Sequence, residues 1–118
     1  MYEYRAIVTK IYDADTITVD LDLGFGIWLF KQSIRLARIQ APEIRGEERP
    51  QGLIARDALR SWCPLGSEVI IKTSKDKKGR YGRWLGEVYP YGEFMSDDLS
   101  SNLSYNQRLL NENYATLY

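Results

Sequence analysis

The sequence of 118 residues contains no histidine and one cysteine. The lack of histidine excludes the commonest general base, the serine and cysteine triads, and histidine-ligated metals. The lone Cys63 excludes an internal disulfide and a cysteine-based zinc cluster, and its simplest role is structural. Any acid–base chemistry must therefore use carboxylates, lysine or tyrosine. Any bound metal must have oxygen ligands, which favours calcium, magnesium or manganese.

Long apolar runs are also missing, so no segment approaches the length of a membrane span. The first residues do not form the basic-then-apolar start of a signal peptide. We therefore expect a cytoplasmic protein with no membrane partner, the alternative being a secreted form whose leader has been removed. The length predicts one domain over residues 1–118.

The chain has no net charge, with 16 basic and 16 acidic residues, but the charge is unevenly distributed. Residues 72–83 carry six basic side chains against one acid, and residues 35–60 carry six arginines against four acids. A neutral total with a basic centre indicates a local anion site rather than a protein that coats nucleic acid by bulk charge. A solvated basic loop is the alternative.

Strand patterns dominate the first third of the sequence. Residues 16–23 alternate apolar and polar side chains, which predicts a half-buried strand, and residues 4–12 predict a strand before it. A glycine-rich tip at 23–26 leads to a return strand over 27–39 that ends before Pro42.

Helical and strand patterns then alternate. A helix is predicted to begin at Pro50, with Ile54, Ala58 and Trp62 on one face beside Leu59. Strands are predicted over 68–73 and 83–89, and a second helix over about 99–113. Three strands, a helix, two strands and a helix are typical of an α+β, mainly β, five-stranded OB-fold Greek-key barrel with two packed helices.

Three short segments carry groups that could do chemistry. Asp13 and Asp15 lie two residues apart in YDADT, a spacing that suits a hard cation but equally suits a turn. In RLARIQAPE, Arg35 and Arg38 fall on opposite strand faces, so at most one can face a given site. In KKGRYGR, glycines and arginines could bind phosphate, or simply form a basic turn.

The combination of these segments is more specific than any one of them. In order along the chain, the sequence reads YDADTITVDL, IRLARIQAPEIRGEERPQG and KKGRYGRWLGEVY. This resembles the staphylococcal-nuclease-like (thermonuclease) family over nearly the whole chain, most strongly over residues 8–89. The family hallmarks are Asp-Gly-Asp-Thr, Arg-Leu-x-x-Ile/Val-Asp-x-Pro-Glu, and Tyr-Gly-Arg before a strand.

The resemblance implies an OB-fold nuclease that hydrolyses DNA or RNA with calcium. We expect it to be an endonuclease that prefers single-stranded substrates. The resemblance also implies that Arg35 and Arg83 bind the scissile phosphate, and that Glu43 is the general base or the residue that orients the attacking water. The remaining implied roles are metal binding at Asp15, Gln40 and Ala41, and substrate binding at Arg80, Tyr81 and Tyr118.

Three positions depart from the family pattern. Ala14 replaces a glycine, which would add strain of about 1 kcal/mol if the position requires a positive φ. Ala41 replaces a threonine whose contribution through the backbone carbonyl would survive. Gln40 replaces an aspartate metal ligand, and an amide oxygen can still bind calcium but brings no charge.

Two functions therefore compete. The joint presence of Arg35, Glu43 and Arg83 favours a metal-dependent nuclease. Gln40 and Ala14 favour a non-catalytic module that binds nucleic acid or protein on the same fold. Hydrolysis that depends on a metal and on Glu43 would separate the two.

Overall fold

A five-stranded barrel forms the centre of the molecule in the computed structural model, which describes residues 2–78, 84–92 and 103–118. Its strands are Tyr2–Asp13 (β1), Thr16–Asp22 (β2), Trp28–Leu36 (β3), Glu68–Lys78 (β5) and Trp84–Pro90 (β6). The strands close in the order β1-β2-β3-β6-β5, with antiparallel pairs throughout except the parallel pair of β3 and β6. The predicted OB-fold class is confirmed.

Two helices and a small sheet surround the barrel in the described residues. The helices are Arg49–Trp62 (α1) and Tyr105–Asn111 (α2), and a single 3-10 turn at Gly46–Glu48 precedes the first. The short strands Ile39–Gln40 (β4) and Thr116–Leu117 (β7) pair antiparallel with each other. None of the helices formed by the described residues has the length and hydropathy needed to cross a membrane.

The barrel core follows from the alternation in β1 and β2. Ala6, Val8, Ile17 and Val19 are fully or almost fully buried, while the residues between them face outward or are only partly covered. Since side chains alternate across a strand, every second residue is apolar and faces the interior. Leu23, predicted to continue the apolar face of β2, is exposed because the strand ends at Asp22.

The return strand is shorter than predicted. It ends at Leu36, and residues 37–38 form a turn before β4 begins at Ile39. Arg38 adopts a left-handed φ of 71°, which breaks the extended backbone. This turn has no signal in the sequence, because neither alanine nor arginine is a turn former. This turn directs residues 39–43 away from the barrel wall and toward the β1–β2 connection.

Helix α1 also differs from its prediction. It begins one residue before Pro50, and its fully buried positions are Gly52, Ala55 and Leu59. Ile54 was predicted on the buried face, but it is 56% exposed. Ile54 shares the helical spacing of its apolar neighbours. That spacing does not show which side of the apolar stripe on α1 packs against the barrel.

Helix α2 begins at Tyr105, six residues later than predicted. The Ser104 backbone is extended, and its Oγ accepts a hydrogen bond from the Gln107 N–H at 3.0 Å, so Ser104 is the N-cap. The predicted helical residues 99–102 lie outside the described residues. Asn113 has the predicted left-handed conformation after the helix, with φ 63°.

Asn106 joins helix α2 to the barrel. It is 0% exposed, and its Nδ2 donates to the carbonyls of Ala37 at 2.9 Å and Gly86 at 3.1 Å. Its Oδ1 accepts the Val88 N–H at 3.0 Å. These bonds satisfy three backbone groups beside the parallel β3–β6 pair, where the turn at residues 37–38 leaves the sheet.

We expect Asn106→Ala to lower the free energy of unfolding by about 3 kcal/mol, because it leaves buried backbone groups without partners. Urea unfolding followed by circular dichroism measures this loss. Asn111→Ala is the matched control on the same helix, and as an exposed position it should change stability by less than about 0.5 kcal/mol. Equal effects of the two variants would contradict this account of Asn106.

Candidate active site

A cavity of about 450 Å³ opens where the β1–β2 connection, the ends of β3 and β4, and the loop after Pro42 meet. It brings together residues from sequence positions as far apart as 12 and 118. Its lining consists of Tyr12, Asp13, Asp15, Thr16, Arg35, Gln40, Ala41, Glu43, Ile44, Arg45 and Tyr118. Six of the nine predicted site residues therefore lie in one cavity.

Asp15 is the most constrained of these residues. It is 8% exposed, and its Oδ2 accepts the Ala41 N–H at 2.9 Å and lies 3.5 Å from Nη2 of Arg35. Its Oδ1 accepts a hydrogen bond from the Thr16 hydroxyl at 3.2 Å. The carboxylate thus links the β1–β2 turn to β3 and to the segment that follows β4. It is compensated by these donors, as a buried charge must be.

Arg35 is held on three sides. It lies opposite Thr16 in the β2–β3 register, which places it beside Asp15. Its Nη1 donates to the Leu36 carbonyl at 2.8 Å, and its guanidinium carbon lies 5.7 Å from the centre of the Tyr118 ring. A guanidinium fixed in this way can present its remaining N–H groups to an anion at a small cost in side-chain entropy.

Asp13 and Asp15 form the turn that was one of the two predictions for YDADT, and they also lie together where a cation could bind. Residues 14–15 form a turn in which the Asp15 N–H donates to Oδ1 of Asp13 at 3.2 Å, yet both carboxylates line the cavity. Burial, with the neighbouring Asp15 carboxyl as a further cause, raises the pKa of Asp13 to about 7. Asp13 therefore keeps its proton more readily than an exposed aspartate does, and a bound cation would favour its charged form.

Ala14, by contrast, imposes no strain. It is 0% exposed and does not have a positive φ, so the position does not require glycine. The replacement of glycine by Ala14 would count against an active site only if residue 14 had a positive φ, and it does not.

Gln40 and Ala41 follow the residue-38 turn into the cavity. Gln40 is exposed at the cavity wall, so its amide oxygen can reach a bound ligand. Ala41 is buried, and its N–H fixes Asp15 as described above. The alanine side chain takes no part in this bond, so the change from threonine leaves it intact.

The available ligands are suited to a hard cation by type. Asp13, Asp15 and Gln40 offer only oxygen atoms, which calcium and magnesium prefer. In the part of the chain that the structure describes, no group of three or more acidic or cysteine side chains could hold a metal ion. A divalent cation in this cavity would therefore have to use two carboxylates and neutral oxygen ligands, which supply less negative charge than three carboxylates.

Glu43 lies on a loop whose backbone is held by the side chains of Glu48 and Arg49. Its side chain is exposed at the cavity and has no bonding partner among the described residues. The Glu43 N–H donates to Oε2 of Glu48 at 3.0 Å, while Arg49 donates to the Ile44 carbonyl at 2.8 Å. The carboxylate is thus presented to the cavity from a backbone that these two hydrogen bonds hold.

Gly52 supports this loop and was not identified from the sequence. A Cβ at residue 52 would lie 2.5 Å from the carbonyl carbon of Glu43 and closer still to its oxygen. Only glycine lets helix α1 approach the Glu43 backbone this closely. A glycine inside a helical pattern is a signal of such contact, although it does not name the partner.

Tyr12 and Arg45 also line the cavity and were not among the predicted site residues. Arg38 does not line it. Arg38 is paired with Glu87, which agrees with the prediction that only one of the two arginines in RLARIQAPE faces the site. The reason is the turn at residues 37–38 rather than strand alternation. The predicted residues Arg80, Tyr81 and Arg83 lie outside the described residues, so their roles stay predictions.

Comparison with known proteins relates this chain to nucleases. The family described as "Staphylococcal nuclease homologue" matches residues 33–118, which include Arg35 and Glu43. "Endonuclease YhcR" from Bacillus subtilis (strain 168) is 27% identical over 124 residues. That alignment covers 98% of this chain and 9% of the relative, so the chain spans less than a tenth of the relative's length.

Proposed function

Because this chain belongs to the family of staphylococcal nuclease homologues, we propose that it hydrolyses phosphodiester bonds in DNA or RNA. The observation that carries the proposal is the joint placement of Arg35 and Glu43 around one cavity with the Asp13–Asp15 pair. A phosphate-binding arginine, a carboxylate without a bonding partner and an acidic turn can together support phosphodiester hydrolysis without histidine.

The chemistry follows from the charges of these groups. A phosphodiester is anionic and repels hydroxide, so attack by water needs a base and positive charge around the phosphate. Glu43 accepts a proton from the attacking water as the water oxygen bonds to phosphorus. The bond from phosphorus to the leaving nucleotide oxygen then breaks, and that oxygen takes a proton from solvent. Arg35 binds the phosphate oxygens, whose negative charge grows in the five-coordinate transition state. Arg83 is proposed to bind the same phosphate, as the family motif implies.

We further propose that the reaction uses a divalent cation, with calcium as the first candidate. Asp15, Gln40 and the backbone of Ala41 would hold it, with Asp13 beside them. When bound, it supplies further positive charge at the phosphate. Arg35 already pairs with Asp15. The same carboxylate that fixes the guanidinium would therefore also be a ligand of the proposed cation.

The proposed substrate is a single-stranded nucleic acid cleaved within the chain. Tyr118 offers an exposed aromatic ring at the cavity, where an unpaired base can stack on it. Cleavage within the nucleic-acid strand is proposed because the Bacillus subtilis relative is named as an endonuclease.

A metal-screened assay tests the proposed function. Single- and double-stranded DNA and RNA oligonucleotides are incubated with the protein in calcium, magnesium, manganese or EDTA. The proposal expects cleavage that EDTA abolishes and that Arg83→Ala strongly reduces. Cleavage that survives both treatments would show a contaminating nuclease and refute the assignment.

A non-catalytic nucleic-acid- or protein-binding module is the second candidate. It is favoured because, among the described residues, no group of three or more acidic or cysteine side chains could hold a metal ion. This function predicts oligonucleotide or protein binding without turnover in every metal tested. Calorimetry that detects no divalent cation binding, even with a nucleotide present, would support it over the nuclease.

Gln40→Asp gives a direct test of the proposed cation ligands. We expect the variant to bind calcium about tenfold more tightly, because it restores an anionic ligand at the cavity wall. Isothermal titration calorimetry measures the change. Gln51→Asp adds the same charge at an exposed position that does not line the cavity and should leave the affinity unchanged. A similar gain in both variants would place the cation elsewhere.

A further inference from the structure

Tyr12 occupies an irregular position in the barrel. The β1–β2 register pairs Ile11 with Ile17 and Asp13 with Thr16, so Tyr12 is an extra residue without a cross-strand partner. This is the pattern of a β-bulge, which redirects a side chain and is common at barrel rims and beside active sites. The tyrosine is 41% exposed and lines the cavity, next to the fully buried Ile11.

Arg45 lies on another part of the same cavity wall. It is exposed, and its guanidinium has no ion pair or hydrogen bond with any described residue. The backbone around it is fixed, since Glu48 accepts the Glu43 N–H and Arg49 donates to the Ile44 carbonyl. Gly46, directly after it, has a φ of 71°, which turns the chain at this point. The fold therefore presents a free cation from a rigid loop.

The two side chains supply what one nucleotide requires. An exposed tyrosine ring stacks on any base, and a guanidinium without a carboxylate partner binds phosphate oxygens. Neither side chain has a structural duty in the described part of the molecule, since Tyr12 is outside the core and Arg45 bonds to nothing there. Arg35 differs from Arg45 because Asp15 already neutralises part of its charge.

We propose that Tyr12 and Arg45 form a second nucleotide subsite. It binds the nucleotide adjacent to the two nucleotides that the cleaved phosphodiester bond joins. Tyr12 stacks on its base, and Arg45 binds a phosphate that is not cleaved. The inference rests on the proposed nuclease function and extends it, because it makes chain length a determinant of substrate choice. A polynucleotide uses the subsite, whereas a dinucleotide has no further phosphate to place on Arg45.

The test compares an eight-residue oligothymidylate with the thymidine dinucleotide as substrates. Arg45→Gln and Tyr12→Leu should each lower kcat/KM for the octamer about tenfold and leave the dinucleotide unchanged. Tyr12→Phe keeps the ring and should retain the wild-type rate. The controls Arg5→Gln and Tyr2→Leu make the same types of substitution near the opposite end of β1. They should change kcat/KM for neither substrate.

Equal losses on both substrates, or no loss on the octamer, would overturn the subsite. If the wild-type protein cleaves neither substrate, the nuclease proposal fails and octamer binding decides the subsite separately. Fluorescence anisotropy in EDTA should then show weaker binding by Arg45→Gln. The slope of log Kd against log salt should also be smaller by about 0.7, the value for one lost phosphate contact on a single strand. Unchanged affinity in both Arg45→Gln and Tyr12→Leu would refute the subsite in that case.

Discussion

Glu43→Gln should lower the rate of phosphodiester hydrolysis by about two to four powers of ten, the usual contribution of a general base. Glutamine has nearly the same shape but cannot accept the proton of the attacking water. The Glu43 side chain is exposed and makes no bond to a described residue, so its replacement should not alter the fold. Single-turnover cleavage of a labelled oligonucleotide, at saturating protein, measures the chemical step.

Glu47→Gln is the matched control for this variant. Glu47 lies four residues away on the same loop and is exposed, but it does not line the cavity. The Glu47→Gln variant should cleave at the wild-type rate. Both Glu43→Gln and Glu47→Gln should bind the oligonucleotide at least as tightly as the wild-type protein. A Glu43→Gln rate within about fivefold of the wild type would remove Glu43 from the role of base.

Gly52→Ala should both destabilise the protein and impair the proposed reaction. An alanine in a helix usually stabilises by up to about 1 kcal/mol over glycine. Here the added methyl group meets the Glu43 carbonyl, so we expect a loss of about 2 kcal/mol from overpacking. Since the same contact positions the Glu43 backbone, a shift of about 1 Å would slow cleavage by about a hundredfold.

Thermal unfolding and cleavage kinetics, measured on the same preparation, test both parts of this prediction. Gln51→Ala replaces the preceding, exposed helical residue and should change neither quantity appreciably. A Gly52→Ala protein that is more stable than the wild type would show that the loop can move without cost. Full activity with reduced stability would separate the helix contact from the position of Glu43.

The sequence was sufficient to predict the barrel because its signals are local. The alternation through Ile17 and Val19, the glycines at 24 and 26, and Pro50 at the start of α1 each report a nearby backbone conformation. The cavity was predicted differently, from three motifs whose joint occurrence resembles one family. Their spacing alone does not show that Asp15 and Arg35 meet, which follows from the β2–β3 register.

Contacts between distant segments could not be predicted from the sequence. The turn at residues 37–38 has no turn-forming residue. It depends on Asn106, nearly 70 positions later, which donates a hydrogen bond to the Ala37 carbonyl. The close approach of Gly52 to Glu43 depends on how helix α1 lies against the loop. The exposure of Tyr12 depends on a bulge, and nothing in the sequence marks an extra residue in that strand.

The pairing of β4 with β7 has a consequence for the order of folding. It joins Ile39 to Leu117 and Gln40 to Thr116, and the Tyr118 N–H donates to the Arg38 carbonyl at 2.9 Å. Such distant contacts carry a larger loop-closure entropy than the β1–β2 hairpin, so they form late. A ribosome-bound chain can therefore complete the hairpin early, whereas the wall that holds Gln40 and Tyr118 closes only after residues 116–118 have emerged.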